Sequence, residues 1–237
     1  MTTTETPHRP IHGAALVAGL ALLGMAVLAG LANFGVVENL VTAGDAEQTA
    51  RDIRASEGLF RLGVAGLLLV AILDVVAAWA LMVFFRPAHE GLATLTAWLR
   101  AVYAAVFAVA IAQLAGVPAL LGAAGHPQAP AEALLKITAF HDIWDAGLTL
   151  FGLHLALLGY LAYISGYVPR LLGVLVAFAG LGYLVDSLGT FLVPGYALEA
   201  AVFTFVGEVA LMVWLLAKGR RVAVTGPAPA GTAHRHR

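Results

Sequence analysis

The chain has 237 residues, of which 61% are hydrophobic and 11% are charged, and its mean hydropathy is +0.89, which excludes an ordinary soluble domain. Its formal net charge of −1 creates no field that would attract nucleic acid. Because the chain contains no cysteine, disulfides, thiolate metal sites and cysteine nucleophiles are excluded as well.

Six apolar stretches reach the length of about 20 residues that a membrane helix needs. In chain order they run approximately over 14–37, 59–85, 92–114, 134–164, 171–193 and 197–217. Asp45 is expected to cap a short charged helix before the second stretch, and Gly166 with Pro169 to form a tight turn between the fourth and the fifth. The sequence therefore predicts an all-α, polytopic membrane helical bundle with about six transmembrane helices.

The segments outside these stretches are too short to form a separate domain. We expect a cytoplasmic N-terminal segment over 1–13, one transmembrane domain over 14–218, and a disordered cytoplasmic tail over 219–237, which is rich in Pro, Ala and Gly. The first apolar stretch is longer than the core of a signal peptide. We therefore expect it to stay in the protein as a membrane span.

Lysine and arginine residues in the short loops predict the orientation, because cationic loops resist translocation. With six spans, one side carries Arg9, Arg86, Arg170, Lys218, Arg220, Arg221, Arg235 and Arg237. The other side carries Arg51, Arg54 and Lys136. Both termini are therefore expected in the cytoplasm. An Arg-, Ala- and Gly-rich chain is typical of a GC-rich bacterial genome, so the expected location is the bacterial inner membrane.

Ionisable side chains inside the spans need internal partners, because a charge in the hydrocarbon region is costly. With a rise of about 1.5 Å per residue, four of them share a deep layer: Asp74, Arg100, His154 and Glu208. We expect Asp74 to pair with Arg100 and His154 with Glu208. Such interhelical contacts stabilise a bundle by about 1 kcal/mol each.

A second, outer layer holds Arg61, His141, Asp142, Asp145, Asp186 and Glu199. Its four carboxylates outnumber the two basic side chains, an excess that a bound cation would balance. His141 and Asp145 share a helix face, and Asp186 or Glu199 from another span could supply the third ligand of a divalent metal such as zinc. The alternative is a polar network at the helix mouth.

A haem with two axial histidines is not expected, because His141 and His154 lie on one helix, about 20 Å apart. Glycine-rich phosphate loops and serine nucleophile elbows are also missing from the sequence. Gly152, Gly159 and Gly166 recur every seven residues, as do Gly173 and Gly180. These stripes predict close packing of the fourth span against the fifth.

The segment "FGLHLALLGYLAYISGYVPRLLGVLVAFAGLGYLVDSLG" covers residues 151–189. It contains a Gly-Leu-His-Leu helix, a Leu-Gly-Tyr-Leu end, a Ser-Gly-aromatic-x-Pro-Arg hairpin and a Gly-Leu-Gly-Tyr-Leu-x-Asp-Ser motif. The matching positions are His154, Gly166, Pro169, Arg170, Gly182, Tyr183, Asp186 and Ser187. In these features, and in "LFRLGVAGLLLVAILDVVAAWAL" over 59–81, the chain resembles the DUF4386 family of bacterial and archaeal membrane proteins. The resemblance implies a multi-pass membrane protein of unassigned function and carries no catalytic residues.

Three functional hypotheses remain open, and the sequence does not decide whether the protein is an enzyme. The first is a structural or interaction protein whose buried charges hold the bundle together. The second is a small-molecule or ion carrier that uses the deep layer. The third is an intramembrane metal-dependent hydrolase that uses His141, Asp145 and Asp186. The expected partners are the lipid bilayer and either a second copy of the chain or an unidentified membrane protein.

Overall fold

The computed structural model describes residues 9–198, 200 and 205–222, and the regular elements in this part of the chain are all helices. The elements are α1 (Arg9–Ala29), a π-helical segment (Gly30–Val37), a 3-10 turn (Glu38–Leu40), α2 (Ala46–Ala55), α3 (Glu57–Phe85), α4 (Glu90–Ala115), α5 (Val117–Gly122), α6 (Ala129–Ile164), α7 (Arg170–Leu192), α8 (Val206–Ala217) and a 3-10 turn (Gly219–Arg221).

Five helical stretches are long and apolar enough to cross a membrane: Ile11–Leu40, Glu57–Phe85, Glu90–Gly122, Ala129–Ile164 and Arg170–Leu192. The shorter apolar helix α8 forms the described part of the sixth predicted stretch. Large apolar side chains face outward, as on Leu62, Trp98 and Phe178, each at least 60% exposed, which suits a surface in contact with lipid. The prediction of a membrane-spanning helical bundle is confirmed.

The predicted ends of the domain differ from the helix boundaries. Helix α1 begins at Arg9, earlier than the predicted start at residue 14, and Gly219–Arg221 form a short turn beyond α8. The ring of His12 donates from Nε2 to the carbonyl of Val222 at 2.9 Å, so the end of the described chain lies against α1. Most of the predicted disordered tail, from residue 223 onward, lies outside the described residues.

The long helices form a closed ring. Each packs against its predecessor in the order α1, α3, α4, α6, α7 and α8, and α8 packs against α1. The short helices α2 and α5 pack against α6 and against each other, and Arg54 of α2 donates to the carbonyl of Leu121 at 3.1 Å. A ring of this kind places its shared interior between all the long helices.

Local signals in the sequence explain how the helices begin and turn. The side chain of Asp45 accepts a hydrogen bond from the backbone N–H of Gln48 and caps α2, as predicted. Gly166 has a φ of 75° in the turn between α6 and α7, a conformation that favours glycine. Tyr167 in this turn donates to the carbonyl of Phe84 at 2.9 Å. Burial raises the pKa of Tyr167, so its hydroxyl stays a neutral donor.

The contact between α6 and α7 depends on the glycine stripes. A Cβ added to Gly159 would lie 2.6 Å from the carbonyl oxygen of Gly173, and one added to Gly152 would lie 2.8 Å from that of Gly180. In return, a Cβ on Gly173 would lie 2.6 Å from the backbone nitrogen of Tyr163. The two backbones therefore touch, as the stripes predict.

We expect Gly159→Ala to destabilise the protein by about 2 kcal/mol, because the new methyl group must push α6 and α7 apart. Gly58→Ala is the matched control: Gly58 is exposed in the first turn of α3 and a Cβ there meets nothing within 4 Å. The control should be neutral or slightly stabilising, since alanine favours helix. Thermal unfolding of both variants in detergent checks this, and equal midpoints would contradict the backbone contact.

Candidate ligand-binding cavity

A cavity of about 410 Å³ lies between the long helices of the ring. Its walls include side chains from α1, α3, α4, α6, α7 and α8. Seven of the lining residues are aromatic: Phe34, Tyr103, Phe107, Trp144, Phe151, Tyr183 and Phe205. Three are ionisable acids or bases: Asp74, Arg100 and Glu208. The cavity therefore combines a large aromatic surface with a few charged groups.

Asp74 and Arg100 form a buried ion pair in the cavity wall. The Nη2 atom of Arg100 lies 2.7 Å from Oδ1 of Asp74, and the two residues are only 2% and 3% exposed. Asp74 comes from α3 and Arg100 from α4, which are adjacent and antiparallel. The structure thus confirms the pairing that was predicted from the similar depth of the two residues in their spans.

His154 extends this ion pair onto α6. Its Nε2 lies 3.3 Å from Nη1 of Arg100, and its Nδ1 lies 2.7 Å from the carbonyl oxygen of Thr96. A guanidinium can only donate and a carbonyl can only accept. His154 must therefore accept at Nε2 and donate at Nδ1, which makes it a neutral imidazole with its proton on Nδ1.

The predicted pairing of His154 with Glu208 is wrong. The sequence predicts similar depths for the two side chains, but α6 borders α4 and α7 in the ring, whereas α8 borders α7 and α1. His154 is completely buried and turned toward α4. Matched depth does not fix the direction in which a helix presents a side chain.

Glu208 instead interacts with the hydroxyl of Tyr183 on α7. Unlike Asp74, it is only half-buried, and it lines the cavity. Nearby, the indole of Trp144 donates to the hydroxyl of Tyr103 at 3.0 Å. Sequence reasoning missed these aromatic residues as part of a site. Only Tyr183 carried a signal, because it belongs to the Gly-Leu-Gly-Tyr-Leu-x-Asp-Ser motif.

Among the described residues, the outer layer is divided between separate contacts. Arg61 pairs with Glu57 on its own helix at 2.8 Å, and both side chains are about half exposed. Nε2 of His141 lies 3.6 Å from Oε1 of Glu38, which follows the π-helical segment and was not predicted. Asp142 is exposed. Glu199 lies outside the described residues.

Asp186 lies beside the loop that follows α7. One of its carboxylate oxygens accepts from the hydroxyl of Tyr196 at 2.7 Å and from the backbone N–H of Ala200 at 2.9 Å. Desolvation, together with this hydrogen bond, raises the pKa of Tyr196 to about 12. Asp145 is half-buried, and its backbone carbonyl accepts from the hydroxyl of Ser187. The side chain of Asp186 therefore binds the loop after α7, whereas Asp145 contacts Ser187 through its backbone.

The predicted metal ligands His141, Asp145 and Asp186 are not gathered into one site. Within residues 9–198, 200 and 205–222, no three His, Asp or Glu side chains converge in a way that could hold a metal ion. The reason is again rotational: Asp186 points to Tyr196 and Ala200, and His141 to Glu38. The sequence prediction grouped these three residues by depth and helix spacing, but in the structure their side chains point in different directions.

Comparison with known proteins identifies the family of this chain but assigns no biochemical activity to it. Residues 17–219 match the family described as "Domain of unknown function (DUF4386)". A protein of Archaeoglobus fulgidus, named "Uncharacterized protein", is 39% identical over 160 residues, which cover 68% of this chain and 85% of the relative. No solved structure matches the chain. The chain belongs to the DUF4386 family, which confirms the resemblance read from its motifs.

Proposed function

We propose that this DUF4386 protein is a membrane carrier for a small, largely apolar molecule that binds in the central cavity. The observation that carries the proposal is the cavity itself, since about 410 Å³ falls within the range of small-molecule sites, roughly 300 to 1,000 Å³. Such sites are typically lined by apolar and aromatic side chains with a few well-placed polar groups. This cavity has that composition, and it lies inside the membrane-spanning bundle.

The deep charged residues support a carrier over a purely structural protein. A structural role accounts for the Asp74–Arg100 pair and for His154, which connect α3, α4 and α6. It leaves Glu208 unexplained, because an acidic side chain that faces a cavity within a membrane bundle is costly unless it serves a ligand or a proton. The buried charges therefore have a structural part and a functional part.

The arrangement of α1 and α8 suggests where a molecule would enter. The two helices are close at one end, where a Cβ on Gly19 would lie 2.8 Å from Cγ of Leu216. Toward their other ends both helices line the cavity, and Phe34 and Phe205 are 69% and 45% exposed there. Phe34 lies in the π-helical segment, a helix form that is frequent at functional sites. A molecule dissolved in the bilayer would enter between these two helices.

We further propose that the protein lies in the cell membrane with both termini in the cytoplasm. One end of the ring contains the loop between α3 and α4, the loop between α6 and α7, and the end of α8. They bring Arg86, Arg170 and Lys218 to that end. Arg220 and Arg221 follow Lys218 at the same end. In the described residues, the opposite end carries Arg51, Arg54, Arg61 and Lys136. The richer side is expected in the cytoplasm.

Replacing Ala26 by phenylalanine should fill the cavity and displace its occupant. Ala26 lines the cavity, whereas its neighbour Val27 does not, so Val27→Phe is the matched control. We expect mass spectrometry of gently purified protein to find a small molecule with the wild type and the control but not with Ala26→Phe. In proteoliposomes, the same molecule should cross faster with wild type than with Ala26→Phe. Identical extracts from all three proteins would contradict the proposal.

The absence of native cysteines allows the orientation to be tested directly. In intact cells, a membrane-impermeant maleimide should label Ala124→Cys, in the exposed loop after α5. It should not label Ala88→Cys, between α3 and α4, until the membrane is permeabilised. The reverse pattern would place the termini outside the cytoplasm.

A further inference from the structure

We infer that the cavity binds a lipophilic cation, which is an apolar molecule with one positively charged nitrogen, and that Glu208 holds its charge. This inference rests on the proposed function, because it names the class of molecule that the same cavity takes. It follows from the charge balance of the cavity wall, from the hydrogen bonds already made there, and from the kind of surface that surrounds Glu208.

With Glu208 ionised, the charge balance of the described cavity wall is negative. Asp74 and Arg100 neutralise each other at 2.7 Å, and the hydrogen-bond partners of His154 make it a neutral imidazole. Glu208 is the acid that this balance leaves over, and its partner Tyr183 is a neutral hydroxyl. In a membrane interior, a carboxylate is best stabilised by an opposite charge nearby. A cationic ligand beside Glu208 supplies that charge.

The single guanidinium in the wall does not offer a site for an anion. Nη2 of Arg100 is bound to Asp74, and Nη1 donates to His154. The ring of Phe151 covers the guanidinium at 5.2 Å. The remaining Nε has no hydrogen-bond partner in the described structure, but it is fully enclosed by protein atoms. The positive charge of Arg100 is therefore part of the cavity wall, and Asp74 already neutralises it.

The surface around Glu208 favours an organic cation over a metal ion. Hard cations such as Ca²⁺ take six to eight oxygen ligands, whereas the oxygen-bearing side chains in the described wall are Asp74, Glu208, Tyr103 and Tyr183. Aromatic faces attract organic cations, most strongly the face of tryptophan. The aromatic wall, with Trp144 and Tyr183 among its members, offers such faces together with space for an apolar body.

Two probes of the same shape separate charge recognition from apolar binding. Benzyltrimethylammonium carries one positive charge, and neopentylbenzene replaces its charged nitrogen by carbon. Trp144 in the cavity wall can report binding by fluorescence once the other three tryptophans, Trp79, Trp98 and Trp214, are replaced by phenylalanine. Titrations are made with this single-tryptophan full chain in detergent, in four versions. One has no further substitution, and the others carry Glu208→Gln, Ala26→Phe, or Glu57→Gln as the exposed-acid control.

We expect the cation to bind at least tenfold more tightly than its neutral isostere. Glu208→Gln should abolish this preference, and Glu57→Gln should keep it. The comparison of the two probes on the chain with Glu208 intact decides whether the cavity selects a cation, even if Glu208→Gln fails to fold.

Two other outcomes would overturn the inference in distinguishable ways. If both probes bind equally and Ala26→Phe abolishes both, the cavity is a binding site but its ligand is not selected by charge. If neither probe binds, or if binding is unaffected by Ala26→Phe, the cationic ligand is wrong and the cavity loses its support as the binding site. Retention of the tenfold preference in Glu208→Gln would show that another group recognises the charge.

Discussion

The ion pair between Asp74 and Arg100 is the interaction on which the interior of this protein depends. Arg100 reaches α3 through Asp74, α6 through His154 and, at 3.8 Å, the sulfur of Met25 on α1. One guanidinium on α4 therefore contacts three other helices of the ring. Because both charges lie in a bundle surrounded by lipid, neither can be satisfied by water, and each requires the other. The orientation of four helices about their axes is thus linked to one pair of charges.

The cavity follows from combining this polar contact with the close packing elsewhere. The glycines of α6 and α7 let two backbones touch, as Gly159 does with Gly173. Gly207 of α8 likewise lies too close to the backbone of Leu175 on α7 to admit a side chain. Close packing on this side and the ion pair on the other leave the centre of the ring to aromatic rings and to Glu208. The same helix contacts that stabilise the bundle therefore shape the space that we propose for a ligand.

Much of the fold could be predicted from sequence because its signals are local. Apolar length gave the spans, Gly166 and Pro169 gave the α6–α7 turn, and the seven-residue glycine spacing gave the α6–α7 contact. The pairing of Asp74 with Arg100 was also accessible, since adjacent antiparallel spans bring equal depths together. Each of these predictions needs only the distance along a helix or the identity of its neighbour.

The rest of the site depends on helix rotation and ring order, which a single sequence does not specify. Depth alone paired His154 with Glu208, although α7 lies between their helices in the ring. Depth alone also added Asp186 to the pair of His141 and Asp145, although Asp186 contacts Tyr196 and Ala200 in the structure. Apart from Tyr183, the aromatic wall had no sequence signal, because aromatic residues on membrane helices are just as common on the lipid-facing surface, as Trp79 and Trp98 show.

A double-mutant cycle on Asp74 and Arg100 tests the central claim most directly. Asp74→Asn and Arg100→Gln should each cost about 3 to 5 kcal/mol of the free energy of unfolding, because each leaves one buried charge without its partner. The double variant should cost clearly less than the sum of the two. The exposed pair Glu57 and Arg61 serves as the control and should couple by less than about 1 kcal/mol. Additive costs at Asp74 and Arg100 would show that the two charges do not stabilise each other, and the account of the interior given above would be wrong.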